Sequence, residues 1–138
     1  MTDLFPSNFE RIEKTFSDMI IHIRDTDRSG TPSTARIRKK AYTLLDKSKL
    51  YITEYVDKSY GKLEKYYYEW VDMNGRDLMR FHSETHERKE DQTVTEPYHI
   101  HTEEGLNQFK KRLPNFNNRT LFEIFESIRI VFIYNKLV

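Results

Sequence analysis

Lys62-Leu63-Glu64-Lys65-Tyr66-Tyr67-Tyr68-Glu69-Trp70-Val71-Asp72-Met73-Asn74-Gly75-Arg76-Asp77-Leu78-Met79-Arg80-Phe81-His82 is the stretch that decides the fold. Two runs rich in aromatic and aliphatic side chains, residues 62–71 and 76–82, flank Asp72-Met73-Asn74-Gly75. Asn-Gly between such runs is the strongest short hairpin signal, because both residues accept the positive φ of a tight turn. With Asn74 and Gly75 at the turn, Val71 faces Leu78, Trp70 faces Met79, Glu69 faces Arg80 and Tyr68 faces Phe81. Side chains alternate along a strand. Tyr66, Tyr68, Trp70, Met79 and Phe81 therefore share one face, and Tyr67, Glu69, Arg80 and His82 share the other. The first face is the more apolar and is the expected core, covered by helices.

Upstream, residues 37–45 and 50–56 flank Asp46-Lys47-Ser48 and extend the pattern to a four-stranded antiparallel meander. A three-residue turn sets Leu44 opposite Leu50, Tyr42 opposite Ile52 and Lys40 opposite Glu54, with Arg38 near Val56. Leu50, Ile52 and Val56 mark the core side, so Glu54 is a carboxylate on an apolar face. Burial of a carboxylate costs several kcal/mol unless it is paired. Lys40 or Arg38 is the expected partner.

Around the sheet, Phe9, Ile12, Phe16, Met19, Ile20 and Ile23 recur at spacings of three and four, which predicts an amphipathic helix over residues 8–24, capped by Ser7 or Asn8. Residues 25–34 read as a polar linker. Residues 97–101 suit a short fifth strand at an edge, residues 104–112 a helical turn or two closed by Pro114. Leu121, Ile124, Phe125, Ile128 and Phe132 form the stripe of a second helix over residues 120–134. The class is α+β: an N-terminal helix, an antiparallel four- to five-stranded meander sheet and a C-terminal helix packed on one face. One domain over residues 1–138 is expected, with helix and linker in 1–34, sheet in 35–102 and a helical part in 103–138.

Composition narrows the function. The chain has 138 residues, 23 basic and 22 acidic side chains, and no cysteine, which excludes disulfides, thiolate zinc sites and a cysteine nucleophile. No run approaches the roughly 20 apolar residues of a membrane span, and the start lacks a basic segment followed by an apolar one. The cytoplasm is the expected location, with no membrane contact. A net charge of +1 gives no global attraction to nucleic acid. A local patch exists: residues 33–49 hold six basic residues against one acidic, with Arg36, Arg38, Lys39 and Lys40 beside Tyr42. Clustered cations beside aromatic rings suit phosphate contact and base stacking; a charged strand that resists edge pairing is the plainer alternative.

Four of the five histidines, His82, His86, His99 and His101, lie between positions 82 and 101. Histidine gives and takes protons near neutrality. His99 and His101 flank Ile100, so in an extended segment both rings point the same way and can act as acid and base or share a metal. His-x-His with Glu103 or Glu54 is a thin ligand set, and none of the longer metal spacings appears. The expected chemistry is metal-independent, with no cofactor. Plain surface histidines are the competing reading.

Several of these pieces occur in an order that resembles the TumE-like toxins of prokaryotic toxin–antitoxin modules. They are Ser48-Lys49-Leu50-Tyr51-Ile52-Thr53-Glu54, the Tyr66 to Gly75 run, Leu78-Met79-Arg80-Phe81, His86, and Pro97-Tyr98-His99-Ile100-His101 ahead of a terminal helix. The resemblance spans about residues 36–134. Two departures fall within it: Phe81-His82-Ser83-Glu84 stands where the family tends to have an acidic-polar pair and adjacent histidines, and Tyr98-His99 replaces a doubled histidine. The resemblance implies a small ribonuclease toxin acting on RNA and neutralised by an antitoxin that carries a helix-turn-helix DNA-binding domain. RNA cleavage without a metal needs a base for the 2′-hydroxyl, an acid for the leaving oxygen and cations at the phosphate. Glu54 or His99 is the expected base, His101 the acid, Arg80 or Lys40 the phosphate contact, and His86 and Tyr66 position substrate, with Arg38 beside them. The competing function is a non-catalytic nucleic-acid-binding or protein-interaction module of a regulatory complex. The apolar residues 122–134 offer it a strip for a partner or a homodimer.

Overall fold

Among the residues described by the structure, a computed structural model covering 2–84, 92–102 and 113–138, seven strands form one antiparallel sheet in sequence order. They are β1 (Ile20–Arg24), β2 (Ile37–Leu44), β3 (Lys49–Asp57), β4 (Lys62–Val71), β5 (Asp77–His82), β6 (His99–Thr102) and β7 (Leu113–Pro114). Helices α1 (Phe9–Thr15) and α2 (Leu121–Tyr134) complete the α+β architecture. The sheet is longer than the expected four or five strands because the chain adds one strand at each end.

The central hairpin holds the register read from the sequence. Glu69 faces Arg80, Trp70 faces Met79 and Tyr68 faces Phe81. Next to the turn Val71 pairs with Asp77, not Leu78, across a bulge. Gly75, at φ +85°, supplies the left-handed residue, and the Asp72 carboxylate accepts from the Asn74 and Arg76 amides at 2.9 Å each. The β2–β3 hairpin differs by two residues from expectation: Arg38 faces Glu54, Lys40 faces Ile52 and Tyr42 faces Leu50. Its turn closes earlier, with the Leu44 amide donating to the Ser48 carbonyl at 2.9 Å and Lys47 at φ +68°. A slip of two preserves every face and changes only the partners.

The expected long first helix ends at Thr15, with Asn8 as its cap accepting from the Arg11 amide at 3.1 Å. Ile20, Ile21 and Ile23 are β-branched and fit a pleated strand better than a helix, and β1 pairs with β2 from Ile20 opposite Leu44 to Arg24 opposite Ala41. Ile12, Phe16 and Met19 still reach the core. The expected linker is an ordered loop: Asp27 accepts from the Ser29 and Thr31 amides and from Lys39. The Lys39 ammonium, then Ser29 and the Thr31 amide, hold the Asp27 carboxyl well below the usual range. The expected edge strand becomes β6, paired on both sides by β5 and β7. The expected helical turn at residues 104–112 lies outside the described residues.

Helix α2 begins at Thr120, whose hydroxyl accepts from the Glu123 amide while the Glu123 carboxylate accepts from the Thr120 amide, a capping box. It buries Leu121, Ile124, Phe125, Ile128 and Phe132, at about 1.5–3 kcal/mol for each fully buried large apolar side chain. Phe125 stacks on Phe16 and meets the Tyr42 ring edge-on. One core therefore joins both helices to Tyr42, Leu44, Leu50, Ile52, Tyr66, Tyr68 and Phe81.

Candidate functional site

The alternation of side chains divides the candidate residues between two faces of the sheet. Arg38, Glu54 and Tyr66 are neighbours across β2, β3 and β4 on the helix-covered face. His82 pairs with His99, and Arg80 with His101, across β5 and β6 on the other face. Phe81 lies between Arg80 and His82 in sequence and faces the core. Glu54 and the histidines do not share a site.

Glu54 is fully buried and its carboxylate is surrounded by donors. The Arg38 guanidinium donates at 3.0 Å and the Ser7 amide at 3.1 Å to Oε1, the Tyr68 hydroxyl donates at 2.5 Å to Oε2, and the Ser7 hydroxyl donates to the same oxygen. Arg38 also donates to the Ser7 carbonyl at 2.9 Å and lies 4.2 Å from the Phe9 ring centre. The network ties the segment before α1 to the middle of the sheet. Burial, followed by the Glu54 charge, pushes the Tyr68 phenol well above its ordinary value. A cleft of about 420 Å³ opens beside it, lined by Phe5, Ser7, Arg11, Tyr68 and Phe122.

Lys40, two residues along β2 from Arg38 and facing Ile52 rather than Glu54, pairs instead with Asp25 at 2.6 Å and Glu13 at 3.2 Å. Burial alone would lower its pKa, but the hydrogen bonds to Asp25 and Glu13 outweigh that and hold it above the ordinary lysine value. Tyr66 stacks on Tyr68 with ring centres 4.2 Å apart, and its hydroxyl is buried with no hydrogen-bond partner among the described residues. Burial pushes this phenol up strongly.

On the opposite face, three imidazoles meet. His82 and His101 have ring centres 4.9 Å apart, His99 and His101 4.9 Å, and His82 and His99 5.6 Å. All three are buried, at 9 %, 5 % and 0 % exposure for His82, His101 and His99. His99 Nδ1 lies 3.2 Å from the Pro97 carbonyl oxygen. A carbonyl only accepts, so Nδ1 is the donor in this contact. Tyr67 packs edge-on against His82 at 4.9 Å and donates to Glu84 at 2.8 Å. Arg80, directly across from His101, forms a 2.7 Å ion pair with Asp77.

Sequence reading missed two features of this arrangement. Ser7 and Tyr68 are the further donors to Glu54, and His82 is the third imidazole of the cluster. His82 was already on the correct face of the hairpin beside Arg80, but the β5–β6 register that sets it opposite His99 has no turn signal in the sequence. His86 lies outside the described residues. Among the described residues no helix is long and apolar enough to cross a membrane. A family model described as Toxin TumE matches residues 8–131. No curated protein and no solved structure matches the chain.

Proposed function

The chain belongs to the TumE toxin family, and on that premise we propose that it is a ribonuclease toxin whose acid–base chemistry rests on the imidazole cluster. The observation that carries the reading is the convergence of His82, His99 and His101 on one face, with Arg80 across the strand from His101. In this reading His99 Nε2 takes the proton of the ribose 2′-hydroxyl, and the 2′-oxygen bonds to the adjacent phosphorus. The bond from phosphorus to the 5′-oxygen breaks, and protonated His101 gives that oxygen its proton. The products are a 2′,3′-cyclic phosphate and a 5′-hydroxyl, so no water or external reagent is consumed. Arg80 stabilises charge on the phosphoryl oxygens, as positioned cations do in phosphoryl transfer. The Pro97 contact to His99 supports the role of base, because it fixes the tautomer with the acceptor at Nε2.

Glu54 and Tyr66 have no part in this chemistry; they serve the opposite face. Arg38 and Lys40 are likewise engaged there, with Glu54 and with Glu13 and Asp25. A toxin of this kind requires a cognate antitoxin, and the reading assigns that partner a helix-turn-helix DNA-binding domain and the complex a cytoplasmic location.

Inducible expression of the wild type and of a His99→Ala/His101→Ala variant tests the proposal, with total RNA followed over time and folding of the variant checked by circular dichroism. Growth arrest with RNA loss in the wild type alone supports it. Intact RNA beside arrested wild-type growth, or equal RNA loss from a folded double variant, overturns it.

A further inference from the structure

We infer that His82, His99 and His101 form a binding site for one divalent transition-metal ion of the zinc class. The inference rests on side-chain geometry and stands whether or not the chain cleaves RNA. Each ring offers a nitrogen, and the three nitrogens lie within 4.8 Å of one another. Zinc binds imidazole nitrogen at about 2.0–2.1 Å, which places the ligands of a tetrahedral ion about 3.4 Å apart. Closing the set requires ring rotations that bring nitrogens together by about 1.4 Å at most, without any change of strand register. Three strand positions fix the rings: His82 and His99 face each other across β5 and β6, and His101 follows two residues on, on the same side.

The donor set selects the ion. Three imidazoles and no thiolate suit zinc, copper, nickel or cobalt and disfavour magnesium and calcium, which take oxygen ligands. The Pro97 carbonyl supplies an outer contact that metal-ligating histidines commonly have, orienting the ring and leaving Nε2 as ligand. Burial adds a second observation: all three rings are buried together on one face of the sheet. Among the described residues the set numbers three, and a tetrahedral ion takes a fourth ligand beyond them.

The ion and the acid–base chemistry compete for the same lone pairs, so the two readings separate experimentally. The full chain, made by cell-free synthesis without a polyhistidine tag, is titrated with Co²⁺ and followed by its visible absorption, then challenged with Zn²⁺. We expect one Co²⁺ per chain, the intense bands of a four-coordinate ion, displacement by Zn²⁺ and a melting temperature that rises with ion concentration. His82→Gln, His99→Gln and His101→Gln each keep side-chain volume and are expected to weaken binding by at least the about 10–100-fold that losing an outer contact costs. His22→Gln, on β1, is expected to bind as the wild type does. Absence of Co²⁺ or Zn²⁺ binding by the folded wild type overturns the site, as does binding unchanged in all three cluster variants. Specific binding together with RNA cleavage that survives Zn²⁺ saturation supports the metal site and overturns the acid–base assignment.

Discussion

The two faces of the sheet solve the burial of polar side chains in opposite ways. On the helix-covered face a single carboxylate, Glu54, is buried and accepts from Arg38, Ser7 and Tyr68. On the other face three imidazoles stand ring against ring, and their donors and acceptors change with protonation or with a bound cation. A carboxylate whose oxygens are taken up by four donors from three residues serves as an anchor between the segment before α1 and the sheet. Imidazoles that face one another are the side-chain type suited to moving protons or holding a metal. Under the proposed function, stability belongs to one face and chemistry to the other, and each half of that proposal can be broken separately.

The largest effect is expected at alkaline pH, and it belongs to the helix-covered face. Burial is the leading cause that raises the phenols of Tyr42, Tyr66 and Tyr68 in the folded protein. In the unfolded chain they ionise near the ordinary value of 10.0. Above that pH the unfolded state binds fewer protons than the folded one, so stability falls as pH rises. By pH 11 each phenol whose proton is retained on folding removes about 1.4 kcal/mol, or about 4 kcal/mol for three. Urea unfolding at stepped pH checks this; a midpoint that stays level through pH 11 would contradict the burial of these rings. Next in size is Glu54→Leu. Breaking a buried ion pair by removing one partner costs about 3–5 kcal/mol, and the lower end applies because Arg38 keeps 28 % of its side chain exposed. Thermal unfolding should register the loss while RNA cleavage per folded molecule is kept. Full stability with cleavage abolished would move Glu54 into the chemistry and erase the contrast.

Tyr68→Phe follows. It removes one hydroxyl that donates to a charged oxygen at 2.5 Å, worth about 1.5–3 kcal/mol. The effect should read as a lower urea midpoint, with metal binding at the histidines unchanged. An altered Co²⁺ spectrum in this variant would mean that the two faces are coupled through β4 and β5.

What the sequence made legible, and what it hid, follows the range of the interactions. The Asn74-Gly75 turn is local chemistry, and three of its four expected pairs hold because the bulge absorbs its extra residue beside the turn. The α2 stripe is also local: all five residues of the 3.6-residue period are buried. Residues 20–24 misled because Ile20 and Ile23 continue the helical spacing of Phe9 to Met19, and only the preference of branched side chains for strands spoke against it. At Asp46-Lys47-Ser48 the two possible closures present the same faces. The position of Glu54 among apolar residues was therefore readable, while its partner was narrowed to Lys40 or Arg38 and the register that selects Arg38 was not. The histidine trio depends on the β5–β6 register, set through a connection of many residues, so His99 and His101 could be paired from spacing but His82 could not be added.

The smallest expected effect separates the two cations that the β2 sequence offered to Glu54. Arg38 took the buried carboxylate, and Lys40 took Glu13 and Asp25. Asp25 keeps 77 % of its side chain exposed, so water screens much of that attraction. Lys40→Met retains the aliphatic stem against Phe9, whose ring centre lies 5.4 Å from the ammonium. The substitution is expected to cost about 1 kcal/mol or less, with the loss shrinking further as salt is added. Arg38→Met removes the charge that faces Glu54 and should cost several times more, largely independent of salt because the carboxylate is buried. Salt-dependent unfolding of the two variants side by side measures the difference. Equal losses would mean that Glu54 draws on Lys40 as well, and the register of β2 against β3 would then need to slip by two residues to bring them together.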